Sequence, residues 1–409
     1  MKKFRIGIDA RLVNGETGGI QQFIIGLSHG LKLLALNSQE YFYLTLENQD
    51  EWLRPYLPDN AKIIHPKPPK QNLAYQVIKS IKPIRAFVEN FPLFLNSPIN
   101  RIPESDGTFE EHNIDVVHFT HQGAFKTLLP NIYHPHDLQH VHHPEFFSPR
   151  QRALREKRYK DFCDRASKIS VASEWTNRDL QKHFGIPSEK IVVIPLAPVI
   201  SAYKPISIED LNSVKKKFSL PERYIFYPAQ TWPHKNHIGL LKALAHLKNK
   251  YSMKIELICT GFQNDFFKEI QNQTSNLSLT DQVKFLGFVT PNELQAIYKS
   301  SCFLIVPTKF EAGSFPIWEA FNLEVPVACS TVTSLPEQAG DAALLFDPDN
   351  IEEMANTILS LWQNPGLREI LKKRGLQKVS EFSWEKTAFH FSKIYRELAS
   401  GMNSNGELS

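Results

Sequence analysis

The stretch KISVASEWTNRDLQKHFGIPSEKIVVIPLAP, residues 168–198, contains one full unit of the pattern that sets the fold. Its first residues read as a strand. Ser173 stands where a helix cap is needed, since a serine hydroxyl can accept from an N–H of the first turn. A helix follows to His183 and is stopped by Gly185. Residues 190–198 supply the next strand. Two strands joined through a helix pair in parallel, and a parallel sheet is covered on both faces.

The same alternation extends in both directions. Upstream, strands are expected at 4–9, 41–46, 62–65, 113–120 and 131–137, with helices over 20–36, 73–91 and 150–166. Asn72 can cap the second of these, and Pro83 kinks or ends it. A polar join at 203–212 and a polar helix over 210–218 follow, and then the pattern restarts. Strands are expected at 224–227, 253–259, 283–285, 302–306, 325–329 and 343–346. Helices are expected at 238–247, 291–299 and 316–322, then 351–362, 367–382 and 384–398. The fold class is therefore α/β with two Rossmann-like domains. The first covers 1–200 and the second 201–383, with a terminal helix at 384–400 and a disordered tail at 401–409. Open parallel sheets bind ligands beyond the carboxyl ends of their strands, so the cleft between two such domains is the expected site.

A length of 409 residues agrees with more than one domain, because a single core rarely grows past about 250–300 residues. Lysine and arginine number 47 against 43 acids, an excess too small to mark a nucleic-acid binder. The four cysteines are far apart and form neither a disulfide framework nor a zinc motif, which suggests a reducing compartment. The opening MKKFRIGIDARLV reads as a strand rather than a signal peptide, and no apolar window is long enough to cross a membrane. Residues 62–101 combine seven basic side chains with one acid, Glu89, among apolar positions. That composition fits either an amphipathic patch touching an anionic membrane or a half-buried helix pair with a solvated basic face.

Four constellations carry chemistry. Gly18 and Gly19 follow the first strand and open a helix, either as a tight turn or as a loop that lets a phosphate or sugar approach the backbone. In QTWPHKNH, residues 230–237, Lys235 lies beside a helix start and can hold a diphosphate, or the segment is a solvated cap. In KFEAGSFPIWEAF, residues 309–321, Glu311 and Glu319 flank Gly313, Ser314, Phe315 and Pro316. Pro316 suits a first helical turn. Carboxylates there accept from sugar hydroxyls while amides meet phosphate oxygens, with ordinary helix capping as the alternative. The fourth is a run of His118, His121, His134, His136, His140, His142 and His143 with Asp137 and Glu145. It matches no standard short metal spacing, and hydrogen bonds from one or two histidines to sugar or phosphate suit it better. His118 and Asp137 are favoured by their strand-end positions. Neither a nucleophile elbow nor the glycine fingerprint of a dinucleotide site is found.

Taken together these blocks resemble the family 4 retaining glycosyltransferases, which have the GT-B fold. Glu311 to Glu319 matches the family's E-x7-E element, and YPAQTWPHKNHIGLLKAL and VTSLPEQAGDAALLFDPDN are similar to two further family blocks. NIYHPHDLQHVHHPEFFSPRQRALR is similar to members that build bacterial surface polysaccharides, many of them mannosyltransferases. The resemblance implies an acceptor-binding first domain and a second domain that binds a nucleotide sugar. It places Gly18 and Gly19 near the donor phosphates, with Gln230, Thr231 and Lys235 on the diphosphate. Glu311, with Ala312, Gly313, Ser314 and Phe315, would meet the sugar and phosphates, and Glu319 the ribose. Thr333, Ser334 and Leu335 would line the same pocket. His118 would approach the transferred sugar, with His136 and Asp137 as a competing match. The terminal helix would cross back to the first domain.

The family's arginine before the lysine is missing. Ala229, Gln230 and Thr231 stand in its region, so His234, His237 or an arginine from elsewhere has to supply positive charge. The resemblance further implies same-face transfer of a hexose with no cofactor or metal required. GDP-mannose is the preferred donor, with UDP-glucose, UDP-galactose and UDP-N-acetylglucosamine open. The acceptor is expected to be a saccharide or lipid-linked oligosaccharide, and the location cytoplasmic or peripheral at the inner membrane face. Rival readings are a sugar phosphorylase or epimerase, and a nucleotide-sugar-binding protein whose chemistry has decayed.

Overall fold

The computed structural model describes residues 3–15, 18–67 and 102–401. In the quoted stretch, β6 (Lys168–Val171) and β7 (Ile191–Val193) pair in parallel, with Ile169 opposite Ile191. Between them runs the helix Glu174–Phe184. The Ser173 side chain accepts from the Thr176 N–H, and Gly185 closes the helix at φ 64°. The strand is shorter than its apolar run because Pro195 has no N–H to continue the ladder.

The remaining strands of this sheet are β1 (Phe4–Asp9), β2 (Gln39–Leu44), β3 (Ala61–Ile64), β4 (Val116–Phe119) and β5 (Asn131–Tyr133). Their order is β3-β2-β1-β4-β5-β6-β7, all parallel. A second parallel sheet has the order β10-β9-β8-β11-β12-β13. It is formed by β8 (Ile225–Pro228), β9 (Leu257–Thr260), β10 (Val283–Phe285), β11 (Phe303–Val306), β12 (Val327–Ser330) and β13 (Ala343–Phe346).

Both faces of the second sheet are dry. Phe226, Leu304 and Val327 enter one apolar cluster with Ile317, Trp318 and Phe321 of the helix Phe315–Asn322. Ile225, Ile305 and Ala328 enter another with Leu240, Leu244 and Ile358 from two more helices. Successive strand residues point to opposite faces, which is why these strands read as unbroken apolar runs. Each large side chain so buried contributes about 1.5–3 kcal/mol.

Packing divides the chain into two units. One comprises Met1–Asn14, Leu31–Ile194 and Ala388–Ser409; the other comprises Gly15–Gly30 and Pro195–Thr387. Alongside the contiguous division at 200 expected from the sequence, packing groups the first part of the helix Gly18–Leu34 with the second unit. Packing explains this. Phe23 lies 6.2 Å from the Trp384 ring. Gly26 meets that ring so closely that a Cβ there would fall 1.9 Å from it. The terminal helix Trp384–Ser400 starts in the second unit and continues in the first.

The expected helix over 73–91 and nearly all of the basic patch at 62–101 lie outside the described residues, as does most of the tail. Among the described residues, no helix is long and apolar enough to cross a membrane.

Candidate functional site

In the second unit, β8 leads into a short 3-10 turn, Pro233–Lys235, and then into the helix His237–Tyr251. Asn236 makes this possible. It adopts φ 58°, and its side-chain oxygen accepts from the Gly239 N–H. Its amide donates to the carbonyls of Pro307 and Pro348, both at 3.0 Å. The Lys235 carbonyl accepts from the Tyr227 hydroxyl at 2.7 Å. Lys235 therefore stands two residues ahead of the helix on a backbone tied at several points.

Its ammonium forms an ion pair with Glu311, with the two side chains 19% and 18% exposed. The pair joins two loops at the carboxyl ends of neighbouring strands, β8 and β11. The Glu311 backbone is held in turn. Its N–H donates to Thr333 Oγ1 at 3.2 Å, and its carbonyl accepts from the Thr333 and Ser334 hydroxyls. Thr333 does this at φ 53°, an uncommon conformation for a β-branched residue. The hydroxyls expected to line a ligand pocket thus position the Glu311 backbone. Leu335 is fully buried in the core, so its side chain lines no pocket.

The helix Phe315–Asn322 starts beside this pair, with a proline in its first turn. Gln338 clamps Ser314 from both sides, accepting from its N–H at 2.9 Å and donating to its carbonyl at 2.6 Å. The Ser314 amide is therefore already used. Gly313 and Phe315 are then the residues whose N–H groups the loop can offer to an anion. Glu319, one turn further along, is 5% exposed and accepts from the Tyr298 hydroxyl at 2.8 Å. Burial lifts its pKa to about 7, against the opposing effect of that hydrogen bond.

The glycine pair belongs to the same unit. A Cβ on Gly18 would fall 3.2 Å from the Gln230 amide nitrogen, and one on Gly19 would fall 3.8 Å from the Phe315 ring. Gln230 accepts from the Trp232 indole N–H at 2.7 Å, and the Thr231 hydroxyl bonds with Asn264 at 3.0 Å. Gly18, Gly19, Gln230, Lys235, Glu311 and Phe315 are thus brought together from three separate stretches of sequence. His237 cannot replace the absent arginine. It is buried against Tyr227, and burial first, with the Lys235 charge second, depresses its pKa to about 3.

In the first unit, the carboxyl ends of β1, β4 and β5 bring together a second set of polar groups. Arg11 grips buried Asp9 with two bonds, of 2.8 and 2.7 Å. His121 Nδ1 accepts from the Gly123 N–H, so its proton is on Nε2, which lies 3.3 Å from the Asp9 carboxylate. Burial would raise the pKa of Asp9. Interactions with His121 and Arg11 outweigh it and hold this carboxyl well below the usual range. His136, at φ 64°, donates from Nε2 to the Thr120 carbonyl at 2.8 Å. Asp137 accepts from the Gln139 N–H at 2.9 Å.

His118 has other neighbours than those expected. It is fully buried, 4.7 Å from the Phe391 ring and 2.7 Å from the Tyr395 hydroxyl. Burial, with His136 adding to it, lowers its pKa to about 3, so it is a neutral anchor for the terminal helix. The pleat of β4 aims His118 at that helix. It exposes no surface in this structure, where its neighbours are the Phe391 and Tyr395 rings.

Asp9 and Arg11 are the residues sequence reasoning missed. An acid and a base two apart at the end of a strand were the available signal. Tyr298, Asn236 and Gln338 were equally hidden, because each acts on a partner 18 or more residues away or through an unusual backbone angle.

Comparison with known proteins adds a separate line of observation. Residues 209–378 match the family model described as glycosyl transferases group 1, and residues 60–197 match glycosyltransferase family 4. O-antigen chain mannosyltransferase B of Escherichia coli is 31% identical over 280 residues, covering 66% of this chain and 73% of that protein. Among solved structures, sucrose-phosphate synthase from Thermosynechococcus elongatus superposes with a TM-score of 0.71 at 17% identity, over 97% of this chain and 99% of that one. Anabaena HepE in complex with UDP-glucose also gives 0.71 at 17% identity, over 96% and 99%.

Proposed function

Because the chain belongs to the family 4 glycosyltransferases, enzymes of the GT-B fold, we propose that it transfers a hexose from a nucleotide diphosphate sugar to a hydroxyl during cell-surface polysaccharide synthesis. Mannose from GDP-mannose is the donor this reading puts first, in line with the mannosyltransferase to which the chain is 31% identical. The acceptor is a saccharide or a lipid-linked oligosaccharide.

The observation that carries the proposal is the Lys235–Glu311 pair beside the Gly313–Phe315 loop. An ammonium and loop amides suit a diphosphate, and a carboxylate suits sugar hydroxyls. In the reaction, the bond from the sugar C1 to the diphosphate oxygen breaks and a bond from C1 to the acceptor oxygen forms on the same face. The acceptor proton passes to the departing diphosphate. Charge grows on that diphosphate in the transition state, and Lys235 meets it there. We assign Glu319 to the ribose, the role that the E-x7-E element implies for it. In the first unit, Arg11 and His121, held by buried Asp9, are the polar groups assigned to the acceptor.

The test is transfer of labelled mannose from GDP-mannose to lipid-linked oligosaccharide by the purified chain, with the three UDP sugars in parallel. Transfer from GDP-mannose supports the full reading. Transfer only from a UDP sugar replaces the donor. Binding without transfer or hydrolysis from any donor replaces enzyme with binding protein.

A further inference from the structure

One member of the histidine-rich run finds its neighbours outside that run. His142 ends the short helix Gln139–His142, and its Nε2 lies 2.8 Å from Asp179 Oδ1. Asp179 and His183 are four apart on the helix Glu174–Phe184 and so share a face. His183 Nε2 lies 3.5 Å from the same oxygen. Among the described residues, this is the one group of three histidine, cysteine or acidic side chains whose ligand atoms all lie within 4.8 Å of one another. Tetrahedral zinc with bonds of about 2.0–2.1 Å sets its ligand atoms about 3.3 Å apart. The two observed separations fall on either side of that spacing.

A second observation points to a ligand. Asp179 is 6% exposed, and its Oδ2 is enclosed without a hydrogen-bond partner among the described residues. A buried carboxylate oxygen left in that state is costly, and a cation bound to the carboxylate removes the cost. The two imidazoles are 28% and 27% exposed, so an ion can enter from solvent while the carboxylate stays fixed. Trp175, 5.3 Å from the His142 ring, limits how far that ring can swing.

We propose that His142, Asp179 and His183 form a binding site for one divalent transition-metal ion, zinc, with water as the fourth ligand. Two imidazoles and a carboxylate suit zinc, whereas magnesium and calcium take oxygen donors. The ion ties the helix Glu174–Phe184 to the segment leaving β5, which also carries His134 and His136. Its role is structural, and it stands whether or not the proposed transfer reaction is correct.

The experiment uses the full chain without a histidine tag, stripped with EDTA and titrated with Co2+ under optical absorption, then with Zn2+. One equivalent of cobalt is expected to give the intense visible bands of a four-coordinate ion, and zinc to displace it. Changes in a ligand's outer partners alone cost about 10–100-fold in affinity, so His183→Gln is expected to weaken binding at least about a hundredfold. His143→Gln, next to the triad but outside it, is expected to leave binding unchanged. His142→Gln repeats the test if circular dichroism shows that His183→Gln has not folded. Absence of a four-coordinate spectrum at one equivalent would overturn the proposal. So would equal binding by wild type and the folded triad variants.

Discussion

Replacing Lys235 with methionine keeps the apolar stem and removes the charge. With Lys235 and Glu311 each about a fifth exposed, at 19% and 18%, the pair is screened much less than a surface ion pair. Loss of one preorganised donor to a developing oxyanion costs about 2.7–4 kcal/mol, or roughly 100- to 1,000-fold in rate. A hydrogen bond to a charge already present in the ground state is worth about 1.5–3 kcal/mol. The charge on the diphosphate increases as it leaves, so kcat should fall about 100- to 1,000-fold and donor KM should rise less. Glu311 adds a second effect. Without Lys235 its carboxylate faces the diphosphate uncompensated, so Glu311→Gln in the Lys235→Met background should restore part of the lost donor affinity. The coupling should be at least about 1 kcal/mol in a double-mutant cycle. The assay is steady-state transfer from the accepted donor with all four proteins of the cycle. A Lys235→Met enzyme within twofold of wild type in kcat/KM, or a strictly additive cycle, refutes the reasoning.

Glu319 has its pKa raised to about 7, so its contribution to stability is complete below the ordinary carboxylate range and is lost as pH rises through 7. Glu319→Gln should therefore gain on wild type by about 3 kcal/mol between pH 4.5 and 8, and a stability difference that stays constant over that range in urea titrations would contradict the shift. Asp9→Asn leaves Arg11 facing a neutral amide. Allowing for the 27% exposure of Arg11, about 2–3 kcal/mol should be lost at pH 7. Because the pKa of Asp9 is depressed, that deficit should shrink as pH falls below the usual carboxylate range, and melting curves from pH 7 to 3 check it. Gly26→Ala places a Cβ 1.9 Å from Trp384 and should cost about 1–3 kcal/mol or more; an unchanged melting temperature would show that the two do not pack together.

The strands and their parallel pairing were legible because both faces of each sheet are covered, which leaves runs such as Phe303–Val306 apolar at every position. Ser173 and Gly185 marked their helix because capping chemistry is local. The loop at Lys235 was only half legible. Its lysine is visible in the sequence, but its cap is Asn236 at a positive φ, supported by carbonyls 71 and 112 residues away. Glu311 and Glu319 read alike as two acids on one motif. Their environments separate them, since one is paired with Lys235 and the other is buried under Tyr298. The contacts of His118 with Phe391 and Tyr395 were not legible, because strand position indicates only that a side chain points out of the sheet. It does not indicate which helix covers that face.

Nucleotide-sugar binding at Lys235 is the claim on which the rest depends, and calorimetric titration of wild type and Lys235→Met with GDP-mannose and the three UDP sugars tests it most directly. The account predicts one site in the wild type, tightest for GDP-mannose, with affinity at least about tenfold weaker in Lys235→Met. Wild-type protein that binds none of the four sugars, or equal affinity in the two proteins, would contradict it.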